Sequence, residues 1–190
     1  PLDNISQTCY AVPNFHTKVN LLDYLLKDKA TFQKVVVFID SKKNADRLFL
    51  ELEANYWKEL GIIHSNKSQN NRLATIERFN DGQTRILIAS DIIARGLDLD
   101  DISHVINFDT PKFPENYIHR IGRTGRAEKS GNSILLYTEE EEKYKIAIEG
   151  LMDRKIKTIP FPDEVNISSK LTIEEQPNIV EKNLHKKSKQ

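Results

Sequence analysis

The chain has 190 residues, 38% hydrophobic and 29% charged, enough for one buried domain of about 150 residues with a tail and too short for two full domains. Its 28 basic and 28 acidic side chains cancel, so composition does not announce a nucleic-acid binder and any basic surface must be local. The longest apolar run, Val35 to Ile39, is far too short to span a bilayer, and a lone cysteine, Cys9, excludes an internal disulfide and fits a reducing cytoplasm.

Pro1-Leu2-Asp3-Asn4 has neither the basic start nor the apolar core of a signal peptide, and without an initiating Met the chain reads as a piece of something longer. Ser6 to Val12 is expected to be an edge strand. Asn20 to Lys27 reads as a short helix with Leu21, Leu22, Leu25 and Leu26 inward. Val35 to Ile39 is a β-branched and aromatic run suited to a strand buried on both faces. Ser41 then caps a helix over Lys42 to Glu53, whose apolar stripe is Ala45, Leu48, Phe49 and Leu52. The alternation repeats. Gly61 to His64 is a strand, and Gln69 to Phe79 a helix facing inward through Leu73, Ile76 and Phe79, ended by Asn80-Asp81-Gly82. Arg85 to Ala89, His104 to Phe108 and Ile134 to Tyr137 are further strands, with helices near Glu115–Ile121 and Glu140–Met152. Repeated β-α units predict an α/β fold, a mainly parallel doubly wound sheet flanked by helices. After Pro160-Phe161-Pro162 the periodicity fades and Lys182 to Gln190 is polar and basic, so the domain is expected over 1–160 and a polar extension over 161–190.

In such sheets ligands bind beyond the carboxyl ends of the strands, which directs attention to the residues after Ile39, His64, Ala89 and Phe108. Asp40-Ser41-Lys42-Lys43 lacks the glycines of a dinucleotide fold, and none of the seven glycines completes a Walker A loop, so triphosphate binding would need a partner domain. Charge is segregated: Lys112, Arg120, Arg123, Arg126 and Lys129 face only Glu115 and Glu128, and an acidic run, Glu139 to Glu142, follows. Within the basic stretch lies His119-Arg120-Ile121-Gly122-Arg123-Thr124-Gly125-Arg126, three arginines at three-residue spacing separated by glycines that bring backbone close to a ligand. Guanidinium groups bind phosphate bidentately and stay charged. The bland alternative is a solvated basic turn.

This octet resembles the sixth motif of the DEAD-box family of superfamily 2 RNA helicases, and Ala89-Ser90-Asp91-Ile92-Ile93-Ala94-Arg95-Gly96-Leu97-Asp98 is similar to the fifth. Gln69-Asn70-Asn71-Arg72 resembles the Gln-x-x-Arg element after the fourth motif, and Ser41-Lys42-Lys43 the fourth motif itself, with solvated helix faces as the plain alternative for both. Ser65-Asn66 departs from the usual Gly-Asp, and Ser90 stands where threonine is frequent. The tail around Ile159-Pro160 and Pro162-Asp163 is similar to the bacterial RhlE group.

The resemblance implies a three-layer RecA-like domain, the second of two that close around ATP and RNA. It implies that Arg126, with Arg123, is an arginine finger on the γ-phosphate; that Asp98 contacts the ribose; that Ser41, Gln69, Arg72, Ser90 and Gly96 bind RNA; and that His119 and Arg120 couple the domains. ATP and its Mg2+ would be held mainly by the N-terminal RecA-like domain, whose motifs are missing here, leaving this chain inactive alone. A different superfamily 2 enzyme, such as a DNA helicase or nucleic-acid translocase, and a non-catalytic RNA- or protein-binding module are the rivals, of which the wording of the octet and of Ala94-Arg95-Gly96-Leu97-Asp98 disfavours the first.

Overall fold

Val35-Val36-Val37-Phe38 and Ile86-Leu87-Ile88-Ala89 are apolar throughout, and every one of these residues is buried. Neither run has a face it can turn to water, so each must sit inside a sheet covered on both sides. The structure, a computed structural model, describes residues 2–90, 99–125 and 129–177. In chain order these form β1 (Ile5–Ala11), α1 (Phe15–Leu26), β2 (Val35–Phe38), α2 (Lys42–Tyr56), β3 (Leu60–Ile63), α3 (Gln69–Asn80), β4 (Ile86–Ala89), β5 (His104–Asn107), α4 (Pro114–Ile121), β6 (Gly131–Tyr137), α5 (Glu142–Met152) and β7 (Lys157–Thr158). All sheet pairings are parallel, in the order β3-β4-β2-β5-β6-β1-β7. No helix among the described residues is long and apolar enough to cross a membrane.

Side-chain alternation along the strands divides the core into two faces. Val35, Val37, Ile39, Ile86, Ile88 and Ile106 pack with α1 and α2. On the other face Val36, Phe38, Leu87 and Val105 pack with Phe79 of α3, while Ile5, Cys9 and Leu135 pack with Tyr117 and Ile121 of α4 and Ile148 of α5. The expected doubly wound α/β architecture in three layers is therefore what the chain forms. Asn14, Ser41 and Ser68 start α1, α2 and α3, each accepting the amide of the third residue on, Thr17, Asn44 and Asn71, at 2.9, 3.0 and 3.1 Å. Such caps stabilise a helix by about 1 kcal/mol each.

Four expectations are corrected. Helix α1 begins at Phe15, five residues before the expected start, because its first turns bury Thr17 and Lys18 beside Val19 and so lack an apolar signature. Strand β1 is not at the edge: β6 pairs with all seven of its residues and β7 with Thr8 and Cys9. Leu73 is 56% exposed, and α3 buries Thr75 and Phe79 instead. A strict three-residue spacing lags the helix period by about 60° per step, so Leu73, Ile76 and Phe79 do not share one stripe.

The fourth concerns the tail. Residues 159–177 form a strap that continues β7 and lies over the α1 and α2 face: Ile159 donates to the Cys9 carbonyl at 2.8 Å, Ile159 and Phe161 pack on the core, and Val165 is buried in it. Side chains of α1 and of its cap hold the strap by its backbone, Asn14 Nδ2 donating to Ser168 O at 2.7 Å and Asn20 Nδ2 to Asn166 O at 2.9 Å, while the Ser168 amide donates to Thr17 Oγ1 at 3.0 Å. Packing thus runs well past residue 160. Val165→Ala is expected to destabilise the chain by about 1.5–3 kcal/mol, seen as a lower midpoint in chemical denaturation; an unchanged midpoint would mean that the strap is not part of the folded unit.

Candidate functional site

Two buried cations meet at the carboxyl ends of the central strands, one from each face. Lys18 of α1, 3% exposed, donates to the Phe108 carbonyl at 2.7 Å and to Glu141 Oε1, with Asp109 Oδ1 at 3.8 Å. Arg120 of α4, 2% exposed, donates to the Asp109 carbonyl and to Asp40 Oδ1, both at 2.8 Å, and its guanidinium lies over the Phe38 ring. The carboxylates bind the intervening loops. Asp109 Oδ2 accepts the Asp40 amide at 2.9 Å, Glu141 Oε2 accepts the Thr110 amide at 2.7 Å, and Glu141 Oε1 also accepts that of Thr138 at 3.1 Å. The turns after β2, β5 and β6 are thereby locked to one another. Burial pushes the Asp109 carboxyl above the usual carboxylate range, Lys18 pulls it back, and Glu141 adds to the push.

Beside this junction, the candidates Ser41, Gln69, Arg72 and Ser90 share the carboxyl ends of β2, β3 and β4, which are neighbours in the sheet. Ser41 Oγ is used as an acceptor by the cap, so an outward contact would come from its O–H. Gln69 is exposed at the start of α3, and Ser90 is buried, with its amide on the Ile63 carbonyl at 3.2 Å. Arg72 turns inward, Nε to the Lys67 carbonyl and NH2 to that of Ser65, each at 3.0 Å. It shapes the loop between β3 and α3 more than it reaches out. The same loop is fixed by buried His64, whose Nδ1 accepts the Asn66 amide at 3.1 Å and whose Nε2–H is therefore left to donate to Asp46 Oδ1 at 2.9 Å. Lys42 adds a bond to Asn66 Oδ1 at 3.3 Å, so the departure at Ser65-Asn66 leaves an organised turn.

Arg123 lies at the opposite end of the sheet. Helix α4 returns from the carboxyl end, and the residues after it line a recess with Asn80, Asp100, Asp101, Ser103 and Lys129, just before β5. Thr124 Oγ1 donates to the Ile102 carbonyl at 2.9 Å, and Asn4, before β1, donates through Nδ2 to Gly125 O at 2.7 Å. Gly125 has φ +66°, and a Cβ there would come within 2.8 Å of Ile5 Cγ1, so this glycine brings backbone close to β1. Lys129 bonds Asp101 at 2.8 Å and holds its carboxyl below the usual range. Of the sequence candidates, Ser41 and Ser90 accordingly lie at the carboxyl ends of the strands and Arg123 at the amino end. Arg126, Gly96 and Asp98 lie outside the described residues.

Arg120 contacts the domain's own loops. Enclosed and bonded within the domain, it acts on the loops it clamps, while its neighbour His119 is exposed. The sequence reading missed Lys18, Asp109 and Glu141. For Glu141 a signal existed: Thr138-x-x-Glu141 directly after a strand is a capping box, and the reciprocal bond from the Glu141 amide to Thr138 Oγ1 is present at 3.3 Å.

Residues 17–128 match the family described as the helicase conserved C-terminal domain. The ATP-dependent RNA helicase DBP2 of Candida albicans is 36% identical over 159 residues, which are 82% of this chain and 28% of that protein. Across the curated relatives compared, the chain spans between 16% and 34% of their length. Among solved structures, the Escherichia coli DEAD-box protein SrmB, bound to the regulator of ribonuclease activity RraA, superposes with a TM-score of 0.77 at 30% identity, covering 88% of this chain and 97% of that one. Dbp5 of Saccharomyces cerevisiae, bound to RNA and ADP BeF3, gives 0.76 at 30% identity over 83% of this chain and 42% of that one.

The raised Asp109 carboxyl sets a pH dependence. The folded state holds this proton more tightly than the unfolded chain, so the contribution of Asp109 to stability is present below its unfolded value and is lost as pH rises through its folded value. Asp109→Asn removes the ionisation and keeps an oxygen for the Asp40 amide. In urea denaturation the variant is expected to gain stability relative to the parent as pH rises from about 3 to 7; a constant difference would show that Asp109 ionises in the fold without penalty.

Proposed function

The chain belongs to the helicase conserved C-terminal domain family, in its DEAD-box branch, and on that premise we propose that it is the second RecA-like domain of an ATP-dependent RNA helicase. The observation that carries the reading is the placement of α4 between two ends of one sheet. Arg120 clamps the carboxyl-end loops, where Ser41 and Ser90 sit, and Arg123, three residues on, belongs to the recess at the amino end.

The two ends are two half-sites. At the amino end, Arg123 reaches across a cleft to the phosphates of ATP, which with its Mg2+ is held mainly by an N-terminal RecA-like domain; by the family resemblance alone, Arg126 shares this role and Asp98 meets the ribose. A guanidinium placed on the γ-phosphate stabilises charge that develops as the terminal phosphoryl group leaves. At the carboxyl end, Ser41, Gln69 and Ser90 grip an RNA strand by sugar and phosphate, with Arg72 holding the loop that presents Gln69, and Gly96 is a further RNA contact by the family resemblance alone. Such contacts give salt-dependent binding with little sequence preference. The RNA and nucleotide analogue bound to Dbp5 support both halves. His119, exposed beside the clamp, is the residue we assign to contact with the partner domain. Closing of the two domains strains a short duplex, and hydrolysis reopens the cleft.

Two measurements test this. In the longer protein, Arg126→Lys is expected to lower RNA-stimulated ATP hydrolysis by about 10³-fold or more while RNA binding persists; equal hydrolysis would reduce the octet to a surface feature. The present chain alone is expected to hydrolyse no ATP above background, and turnover by it would overturn the two-domain assignment.

A further inference from the structure

The strap ends on the cations that open α2. Glu174 accepts from Lys43 Nζ at 2.7 Å and from Arg47 NH1 and NH2 at 2.7 and 3.4 Å, so one carboxylate holds two basic side chains. Lys43 and Arg47 stand on the first turns of the helix capped by Ser41, at the end of the sheet where the proposed RNA contacts lie. The strap is built to hold this carboxylate there. Thr172 and Glu175 close a turn through reciprocal bonds, Thr172 N to Glu175 Oε1 at 3.0 Å and Glu175 N to Thr172 Oγ1 at 3.3 Å, and Glu175 Oε2 accepts the amide of Phe15, the first residue of α1, at 3.0 Å. Its surroundings repel a polyanion. The strap carries Asp163, Glu164, Glu174 and Glu175 against Lys170, and the groove between it and the strand ends is lined by Glu139, Glu140 and Glu141 as well.

Resting on the RNA reading above, we propose that the strap is an intramolecular competitor, its Glu174 carboxylate occupying the Lys43 and Arg47 surface that would otherwise bind the phosphates of single-stranded RNA. A carboxylate bound by two cations has the charge and acceptor geometry of a phosphodiester oxygen pair. The two halves of the strap differ in tenacity. The half on α1 is held by Val165 in the core and by backbone bonds, whereas Glu174 and Lys43 are 51% and 64% exposed, and exposed ion pairs are weak and screened by salt. An RNA strand can therefore displace Glu174 without unfolding the strap. The Arg47 and Lys43 bonds hold the Glu174 carboxyl down at about 2, so it is ionised at any pH where the chain would meet RNA.

The test uses the whole chain and a fluorescent single-stranded oligouridylate, with binding followed by anisotropy across a salt series. Glu174→Gln is expected to bind about three- to tenfold more tightly and to steepen the salt dependence by about 1.4 in slope, the value for two further phosphate contacts on a single strand. Adding Lys43→Gln and Arg47→Gln should erase both gains. Unchanged or weaker binding by Glu174→Gln, with an unaltered melting temperature, overturns the proposal and leaves Glu174 as a surface ion pair. Absence of RNA binding by every form, parent included, would instead overturn the RNA reading on which the proposal stands.

Discussion

A lysine and an arginine buried from opposite faces of one sheet, and the three carboxylates between them, fix the shape of the carboxyl-end rim. Lys18 and Arg120 share Asp109, one approaching its carboxylate and the other bonded to its carbonyl. Removing charges from water costs several kcal/mol for each ion, and pairing returns an amount of similar size, so such a network adds little net stability. What it adds is position. Turns after β2, β5 and β6 have no regular backbone ladder to align them, and here each is bound to a neighbour through a carboxylate accepting an amide. An apolar core in the same place would exclude water equally well and leave the loop geometry undetermined.

That constraint is passed along α4. The helix is short, Pro114–Ile121, and packed by Tyr117 and Ile121 against β1 and β6, so it moves as a unit if it moves at all. Arg120 ties it to the carboxyl end, and the turn after it is tied to the amino end by Thr124 on the Ile102 carbonyl and Gly125 against Asn4 and Ile5. A displacement of the rim therefore has a mechanical route to Arg123. For the proposed function, this linkage would supply the coupling between the RNA half-site and the nucleotide half-site: one rigid element with bonded contacts at both ends, rather than a chain of loose side chains.

The legible parts of the sequence were those whose physics is local. Strands such as Val35–Phe38 announce themselves because burial on both faces demands unbroken apolar runs, and Ser41 announced its helix because its oxygen accepts an amide three residues on. Lys18 could not be read this way. Its charge is satisfied by residues ninety or more positions away, and in sequence it merely breaks an apolar pattern, which displaced the start of α1. The position of Arg123 could not be read from the carboxyl-end rule, for a topological reason. The carboxyl-end rule describes loops that follow strands, whereas the octet begins in the last turn of α4, and a helix that returns from the carboxyl end delivers Arg123 to the amino end.

The strap was illegible for a third reason, and that reason bears on its action. Most of its attachment runs through its own backbone, with Ser168 and Asn166 offering carbonyls to Asn14 and Asn20, so side-chain identity carries little of the signal. Ile159, Phe161, Val165, Glu174 and Glu175 engage the domain through side chains, too few and too scattered to make a periodic signature. A segment anchored by backbone at one end and by a charge at the other behaves as a tethered ligand: the anchor sets a high local concentration of the carboxylate, and the weak ion pairs set how readily a competitor removes it. A polyphosphate strand offers many charges against this one, and its advantage falls with salt faster than that of the single carboxylate. The balance between strap and strand is thus set by valence, and ionic strength is the variable that shifts it.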